Sequence, residues 1–462
     1  MNKNKEKKTV GNSSTDLARG SASNVRQTAM DLLLRCAESD RYSNIALDSA
    51  IKRESFSHAD KALLTRLVYG VTERLLTLDY YIGQLSSRPI KDIDRHSLTA
   101  IRLGLYQLMY LDRVPDHAAI NESVALCPKR SRGFVNAVLR EYTRRGGEIC
   151  FPDESDEPIR RLSVKYSFSP ELCEEFVSAF GYRRAESIFT AFCKTPPITL
   201  RVNTLKTDRE SLISSLKAKG IEAERSWLDT ALKTKNLSLT ELDEFCEGSF
   251  FVQDEASQIC TKALDAERGD LVLDICACPG SKSFGAAIDM ENEGRIMAFD
   301  LHENKLSLVR SGAKRLGIDI IETSGHDGRD YISELEKKAD RIICDVPCSG
   351  FGVIAKKPEL RYKSVADCRS LPDIQLAILE NSSRYLSVGG YLVYSTCTLL
   401  PSENELNIAR FIERNPEFCR VDFSVGELSS ENGMLTLFPD THGTDGFFIA
   451  KLSRKQRQEA GK

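Results

Sequence analysis

Nowhere does this 462-residue chain hold the roughly 18 to 20 continuous apolar residues that a membrane span requires. Residues 1–24, MNKNKEKKTVGNSSTDLARGSASN, carry lysines with no apolar run behind them, so they read as a flexible polar tail rather than a secretory signal. Fourteen cysteines are present, but none form a CxxC pair, and Cys276 and Cys278 stand too close together for a zinc knuckle. No metal is therefore expected. Without a secretory signal these thiols are expected to be reduced, in a cytoplasmic protein. A G-x-G-x-x-G fingerprint is missing too, which argues against a nicotinamide dehydrogenase. No short-period repeat is visible.

What is present is 41% hydrophobic residues, enough for a sizeable core, in a chain long enough for two or three domains. The net charge of −3 hides an asymmetry. Residues 1–150 hold 24 Lys and Arg against 17 Asp and Glu (+7), so the remainder holds 40 against 50 (−10). A basic first third on an acidic body fits a polyanion-binding module, or an ordinary solvated helix surface. The basic residues concentrate at Lys129, Arg130, Arg132, Arg140, Arg144 and Arg145, opposed only by Glu141.

Residues 25–150 read as an all-α domain. RQTAMDLLLRCAE, ADKALLTRLVYGVTERLLTLDYYIGQL and SLTAIRLGLYQLMYLDR space their apolar residues by three and four. Pro89, Pro115 and Pro128 punctuate the helices, with Asp116 or Asn121 as a candidate cap. Residues 151–245 mix strand signals (ITLRVNTL, IEAERSWL) with a helix (DRESLISSLKAKG) and read as a small α+β region. Residues 246–456 alternate strand and helix, which predicts an α/β, doubly wound parallel sheet.

In such sheets ligands bind beyond the carboxyl ends of the strands. Asp274, Asp300, Asp327 and Asp345 stand at or just past the ends of four successive strands. The loop after the first, Cys276, Ala277, Cys278, Pro279, Gly280, Ser281 and Lys282, is small enough for its amides to approach a ligand, and Ser281 could cap the next helix. Acids in this register suit a cationic, adenosine-bearing cofactor, and S-adenosyl-L-methionine fits. Cys348 follows the fourth strand and Cys397 the fifth, so adjacent parallel strands would bring both thiols to the same rim. A thiolate adding to C6 of a pyrimidine makes C5 nucleophilic, and a second group then assists release. One thiol can take each part.

These residues resemble the bacterial 16S ribosomal RNA cytosine-C5 methyltransferase B family (Sun/Fmu type) over nearly the whole chain. DICACPGSKS is similar to its D-x-C-A-A-P-G-G-K-T loop, DVPCSGFGV to D-x-P-C-S-x-x-G, and YSTCTLLPSENE to Y-S-T-C-S/T with its following E-N-E. RVNTLK, VQDEAS and GTDGFFIAKL also agree, and the helical region resembles the antitermination-factor NusB-like domain. Cys278 and Ser281 depart from the family's alanine and glycine. The resemblance implies a Rossmann-like methyltransferase domain behind a NusB-like domain and an RNA-binding linker region. It also implies Cys397 as nucleophile, Cys348 assisting breakdown of the adduct, and Asp345 contacting the cytosine near the cofactor. Residues 276–282 with Asp300, Asp327 and Asp345 would bind S-adenosylmethionine, and 16S ribosomal RNA is the implied partner of a monomer, with DNA not expected. Two alternatives remain beside it. One is a C5 methyltransferase for another RNA such as transfer RNA; the other is a non-catalytic RNA-binding or antitermination protein. A DNA-type mechanism would instead make Cys348 the nucleophile.

Overall fold

The computed structural model describes residues 25–39, 43–54, 56–148, 150–153, 156–235, 237, 239 and 242–455. The tail expected at 1–24 lies outside them. The chain divides into two compact units after Asp156.

The first unit is helical: α1 (Val25–Ser39), α2 (Ser43–Arg53), α3 (His58–Glu73), α4 (Leu75–Leu85), α5 (Arg95–Tyr110), α6 (Asp116–Ala125) and α7 (Lys129–Arg144). Leu64, Leu67 and Val68 of α3, Leu78 and Ile82 of α4, Ile101 and Leu105 of α5 and Val135 and Leu139 of α7 are buried together, as the three-and-four spacing predicts. Close approach of α3 to α5 depends on Gly70, where a Cβ would lie 1.9 Å from the Tyr106 ring. Asp94 caps α5 by accepting from Ser97 N (3.1 Å). The cap expected at Asp116 or Asn121 is not formed. Helix α6 starts at Asp116 behind Pro115 without a side-chain cap, and Asp116 lies in the first turn, where a carboxylate complements the helix dipole.

The second unit opens with α8 (Pro158–Tyr166), α9 (Pro170–Phe180) and α10 (Tyr182–Phe192), three short helices that the sequence reading did not separate. A small sheet follows, of β1 (Ile198–Val202), β2 (Ala223–Arg225), β3 (Ala231–Thr234) and β4 (Phe250–Val252), with α11 (Arg209–Ala218) and α12 (Asp243–Cys246). Its order is β2-β3-β1-β4, with antiparallel pairings throughout.

Helix α13 (Glu255–Leu264) leads into the large sheet. Its parallel strands are β5 (Leu271–Asp274), β6 (Arg295–Asp300), β7 (Ile321–Gly325), β8 (Ala339–Asp345) and β9 (Leu386–Thr396), with α14 (Ser281–Asp289), α15 (Leu306–Leu316) and α16 (Leu371–Ser383) among the connections. After α17 (Glu405–Arg414) come β10 (Phe418–Arg420), a hairpin of β11 (Ser424–Val425) and β12 (Leu428–Ser429), then β13 (Met434–Leu437), α18 (Pro439–His442) and β14 (Phe447–Arg454). The spatial order is β7-β6-β5-β8-β9-β14-β10, with β13 also paired to β14. From β5 the chain winds outward in both directions, so the topological switch point lies at its carboxyl end. The α/β, doubly wound sheet expected from the sequence is present, and its last long strand adds a detail. β14 runs antiparallel to β9, with Phe448 opposite Thr396, so the sheet is mixed. Apolar alternation encodes a buried strand but not its direction.

Candidate active site

The spatial order of the strands sets Asp327, Asp300, Asp274 and Asp345 in that sequence along one edge of the sheet. Asp274 is buried beneath the loop. Ser283 Oγ donates to its Oδ2 (2.5 Å), and burial pushes its carboxyl up to about 7. Asp300 is held by two backbone donors, Cys278 N (3.2 Å) to Oδ2 and His302 N (2.9 Å) to Oδ1. Asp327 takes both its oxygens into a fork with Arg329, whose hydrogen bonds hold its pKa down at about 2 despite partial burial.

The loop itself is pinned from below, Ile275 N donating to Ile343 O and Ala277 N to Phe299 O. It contains a cis Cys278–Pro279 bond. Gly280 has φ +111°, and a Cβ there would lie 2.5 Å from the Phe284 ring, so glycine is required. The serine cap expected of Ser281 is absent: Gly280 is the N-cap of α14 and no side chain caps it. The departure from alanine at Cys278 costs the site nothing visible, because position 278 serves Asp300 through its backbone amide. These features fit an adenosine-bearing cation. Carboxylates at two strand ends offer acceptors for hydroxyl or amino groups, and a small-residue loop lies at the switch point between them.

Lys282, read from sequence as part of the cofactor loop, points its ammonium at Asp345 Oδ2 (2.6 Å) and lies 5.1 Å over the Phe447 ring. Burial lowers its pKa, but Asp345 outweighs that and the net shift is upward. Ser395 Oγ donates to the other Asp345 oxygen (2.7 Å).

Strands β8 and β9 are parallel neighbours, with Asp345 opposite Ser395, and the loops beyond them bring Cys348 Sγ within 3.2 Å of Cys397 Sγ. Both thiols are half-buried. Three links staple the loops: Ser349 Oγ to Thr398 Oγ1 (2.7 Å), Gly352 N to Cys397 O (2.9 Å) and Gly446 N to Gly352 O (2.8 Å). A Cβ at Gly352 would lie 1.9 Å from Gly446 O, so this crossing also needs glycine. Helices α8–α10 bury Phe168, Phe176 and Phe189 in one cluster with Phe351, Leu399 and Leu400, which backs the thiol loops with a rigid apolar wall.

Burial pushes the thiols of Cys260, Cys278 and Cys344 up to about 12, and it drives Cys276 well above the ordinary value. Cys397 moves the other way. Its pKa is lowered, first by the hydrogen bond from Cys348 and further by Lys282 and Lys357, against burial and Asp345. Cys348 is raised by the same hydrogen bond, by burial, and by the charges of Cys397, Glu403 and Asp345.

Residues 261–453 match the family described as 16S rRNA methyltransferase RsmB/F, residues 171–237 its ferredoxin-like domain, and residues 23–144 the NusB family. The probable ribosomal RNA small subunit methyltransferase B of Bacillus subtilis is 38% identical, over 93% of this chain and 99% of its own. The chain belongs to the RsmB/F methyltransferase family. The ribosomal RNA small subunit methyltransferase B of Escherichia coli is 33% identical over 87% of this chain and 92% of its own. Among solved structures, PH0851 superposes with a TM-score of 0.77 at 27% identity, covering 93% of this chain and 99% of its own. NSun6 from Pyrococcus horikoshii, solved with SFG, gives 0.57 at 26% identity over 62% of this chain and 98% of its own. As an RsmB/F protein the chain is of the S-adenosylmethionine-dependent methyltransferase class. Among its described residues no helix is long and apolar enough to cross a membrane.

Two features of the rim escaped the sequence reading. One is the Lys282–Asp345 pair. The other is the contact of Glu403 with the Cys348 loop, Ser349 N donating to its Oε2 (2.9 Å); in sequence Glu403 stood only as part of the E-N-E segment.

Proposed function

We propose that this RsmB/F protein methylates C5 of a cytosine in 16S ribosomal RNA through a covalent adduct at Cys397. The observation that carries the reading is the thiol pair: two cysteines 3.2 Å apart, with Cys397 the one whose pKa falls. The small-subunit ribosomal RNA named for its relatives supports the substrate.

Residues 276–282, Asp300 and Asp327 would hold S-adenosylmethionine, which supplies an electrophilic methyl group. The protein's own part begins with the Cys397 thiolate. Its electron pair forms a bond to C6, and the C5=C6 pair shifts toward C5 and the ring, making C5 nucleophilic. The Lys282 ammonium favours the thiolate before attack, and Asp345, fixed by Lys282 and Ser395, is placed to contact the base. Once C5 carries its methyl, the Cys348 thiol passes its own hydrogen to water as its sulfur takes the C5 proton, and the C5–H pair re-forms C5=C6. The Sγ–C6 pair then returns to Cys397.

Cys397→Ser should bind cofactor and RNA yet form neither adduct nor product, since a hydroxyl stays protonated near neutral pH. Cys348→Ala should stall at the methylated adduct, visible as an RNA-linked band on a denaturing gel that vanishes in the double variant. The reverse pattern would make Cys348 the nucleophile. Bisulfite sequencing of ribosomal and transfer RNA from cells with and without the gene tests the RNA class.

A further inference from the structure

At 3.2 Å either thiol of the Cys348–Cys397 pair could donate to the other. Which sulfur keeps the hydrogen depends on where the charged groups around the pair are placed. Asp345 raises both thiols and so does not discriminate. Lys282 on α14 and Lys357 in the loop after Cys348 act on Cys397. Tyr394 of β9 also faces Cys348, and Lys363 Nζ bonds Ser349 O (2.9 Å). Glu403 lies on the Cys348 side, bonded to the amide that follows Cys348.

Glu403 is built into that place. It is 1% exposed. Its Oε2 accepts from Ser349 N (2.9 Å) and from Gln375 Nε2 (2.7 Å), and the same Gln375 amide donates to Pro347 O (3.0 Å). Cys348 is thus bracketed, its preceding carbonyl and its following amide both tied to one Gln–Glu couple. Tyr394 Oη holds the backbone of Glu403 at 2.6 Å. Among the described residues no cation pairs with the Glu403 carboxylate, and its Oε1 is shut from solvent with no hydrogen-bond partner. A buried carboxylate with no cation beside it favours the protonated form of the thiol it lies against.

We infer that Glu403 is the positioning residue that gives the two cysteines their separate parts: its charge keeps the shared hydrogen on Cys348 and leaves Cys397 as the thiolate. Cys397 then attacks without losing a proton at that step, while Cys348 retains its hydrogen. This rests on the reading of Cys397 as nucleophile.

The test uses the full-length protein and iodoacetamide, with each alkylated cysteine located by peptide mass spectrometry across a pH series. In the wild type Cys397 should be labelled ahead of Cys348, with a midpoint below that of an ordinary thiol. Glu403→Gln keeps a carbonyl oxygen for Ser349 N but removes the charge. The Cys397-to-Cys348 labelling ratio should then fall on the order of tenfold, one pKa unit. The pH profile of adduct formation should move up, with cofactor affinity and melting temperature held. An unchanged ratio in a folded, cofactor-binding Glu403→Gln protein overturns the inference. If that variant does not fold, Cys397→Ser serves instead. There Cys348 stands alone beside Glu403 and should label only above the ordinary thiol range, and labelling within that range overturns the inference equally. Failure of the underlying reading looks different: Cys397→Ser would still form the denaturation-stable adduct.

Discussion

The helical unit and the methyltransferase unit handle charge in opposite ways. In the methyltransferase unit, charges are buried against assigned neighbours: Lys282 on Asp345, Arg201 on Asp289, Glu403 against the Cys348 loop. On α7 the charges stand outward over an apolar face of Val135, Val138 and Leu139. Arg144 and Arg145 share the carboxylate of Glu141, with side chains 78% and 41% exposed. Surface pairs of this kind contribute little to stability. Removing one member of a buried pair leaves an uncompensated charge behind. Substitutions that break a buried ion pair there should therefore disturb stability and chemistry together, whereas those on α7 should disturb only what the surface meets.

The largest expected effect follows from that contrast. Lys282→Met leaves Asp345 without its cation and takes from Cys397 one of the two lysines that favour its thiolate, Lys357 remaining. Stability should drop by roughly 3 kcal/mol, the low end for a broken buried pair because Asp345 keeps some contact with water. Adduct formation should fail at the same time. Thermal unfolding and the denaturing-gel assay check the two effects, and a variant that loses only one of them breaks the comparison.

Asp300→Ala comes next. It removes an acceptor that two backbone amides hold in place, and a charge-assisted contact is worth roughly 1.5–3 kcal/mol. Calorimetry should show S-adenosylmethionine binding weakened to match. Unchanged affinity in a folded variant would remove Asp300 from the cofactor site.

Much of this rim was legible in the sequence. An α/β sheet puts its chemistry at strand ends, so Asp274, Asp300, Asp345, Cys348 and Cys397 could be placed by locating four apolar runs. What stayed hidden were interactions between distant elements. Lys282 meets Asp345 across 63 residues, and Glu403 meets Gln375 across 28. No local pattern carries such a pairing. The direction of β14 was hidden for a similar reason, since alternation reports burial and not polarity. In the helical unit the period of three and four was enough to expect its helices, and the error was local: α6 begins at Asp116, behind Pro115, without any side-chain cap.

Gly70→Ala probes the helical unit by packing rather than charge. A methyl group 1.9 Å from the Tyr106 ring must push α3 away from α5, and overpacking of this sort costs about 1–3 kcal/mol. Calorimetric melting should register the loss, while S-adenosylmethionine affinity and Cys397 labelling hold. If those fall in step, the two units are energetically coupled and the contrast drawn between them fails.

The smallest expected effect is the one that would give the basic helix a purpose. If α7 meets RNA phosphates, replacing Arg140, Arg144 and Arg145 by alanine should weaken binding and flatten its salt dependence, each lost contact changing the log–log slope by roughly 0.7 to 0.9. Among the described residues the Arg140 side chain is tethered only to Asn136 (3.0 Å), a neutral partner that a phosphate can displace. Arg144 and Arg145 must share with Glu141, whose carboxyl is held below its usual range, first by the Arg145 hydrogen bond. The acid therefore competes with RNA for both guanidiniums. Glu141→Gln should shift binding in the opposite direction, tightening it while the triple variant loosens it. Filter binding across a salt series distinguishes the outcomes. Opposite shifts identify α7 as a phosphate-contacting face, and an unaltered slope in both variants leaves its arginines as solvated surface charge.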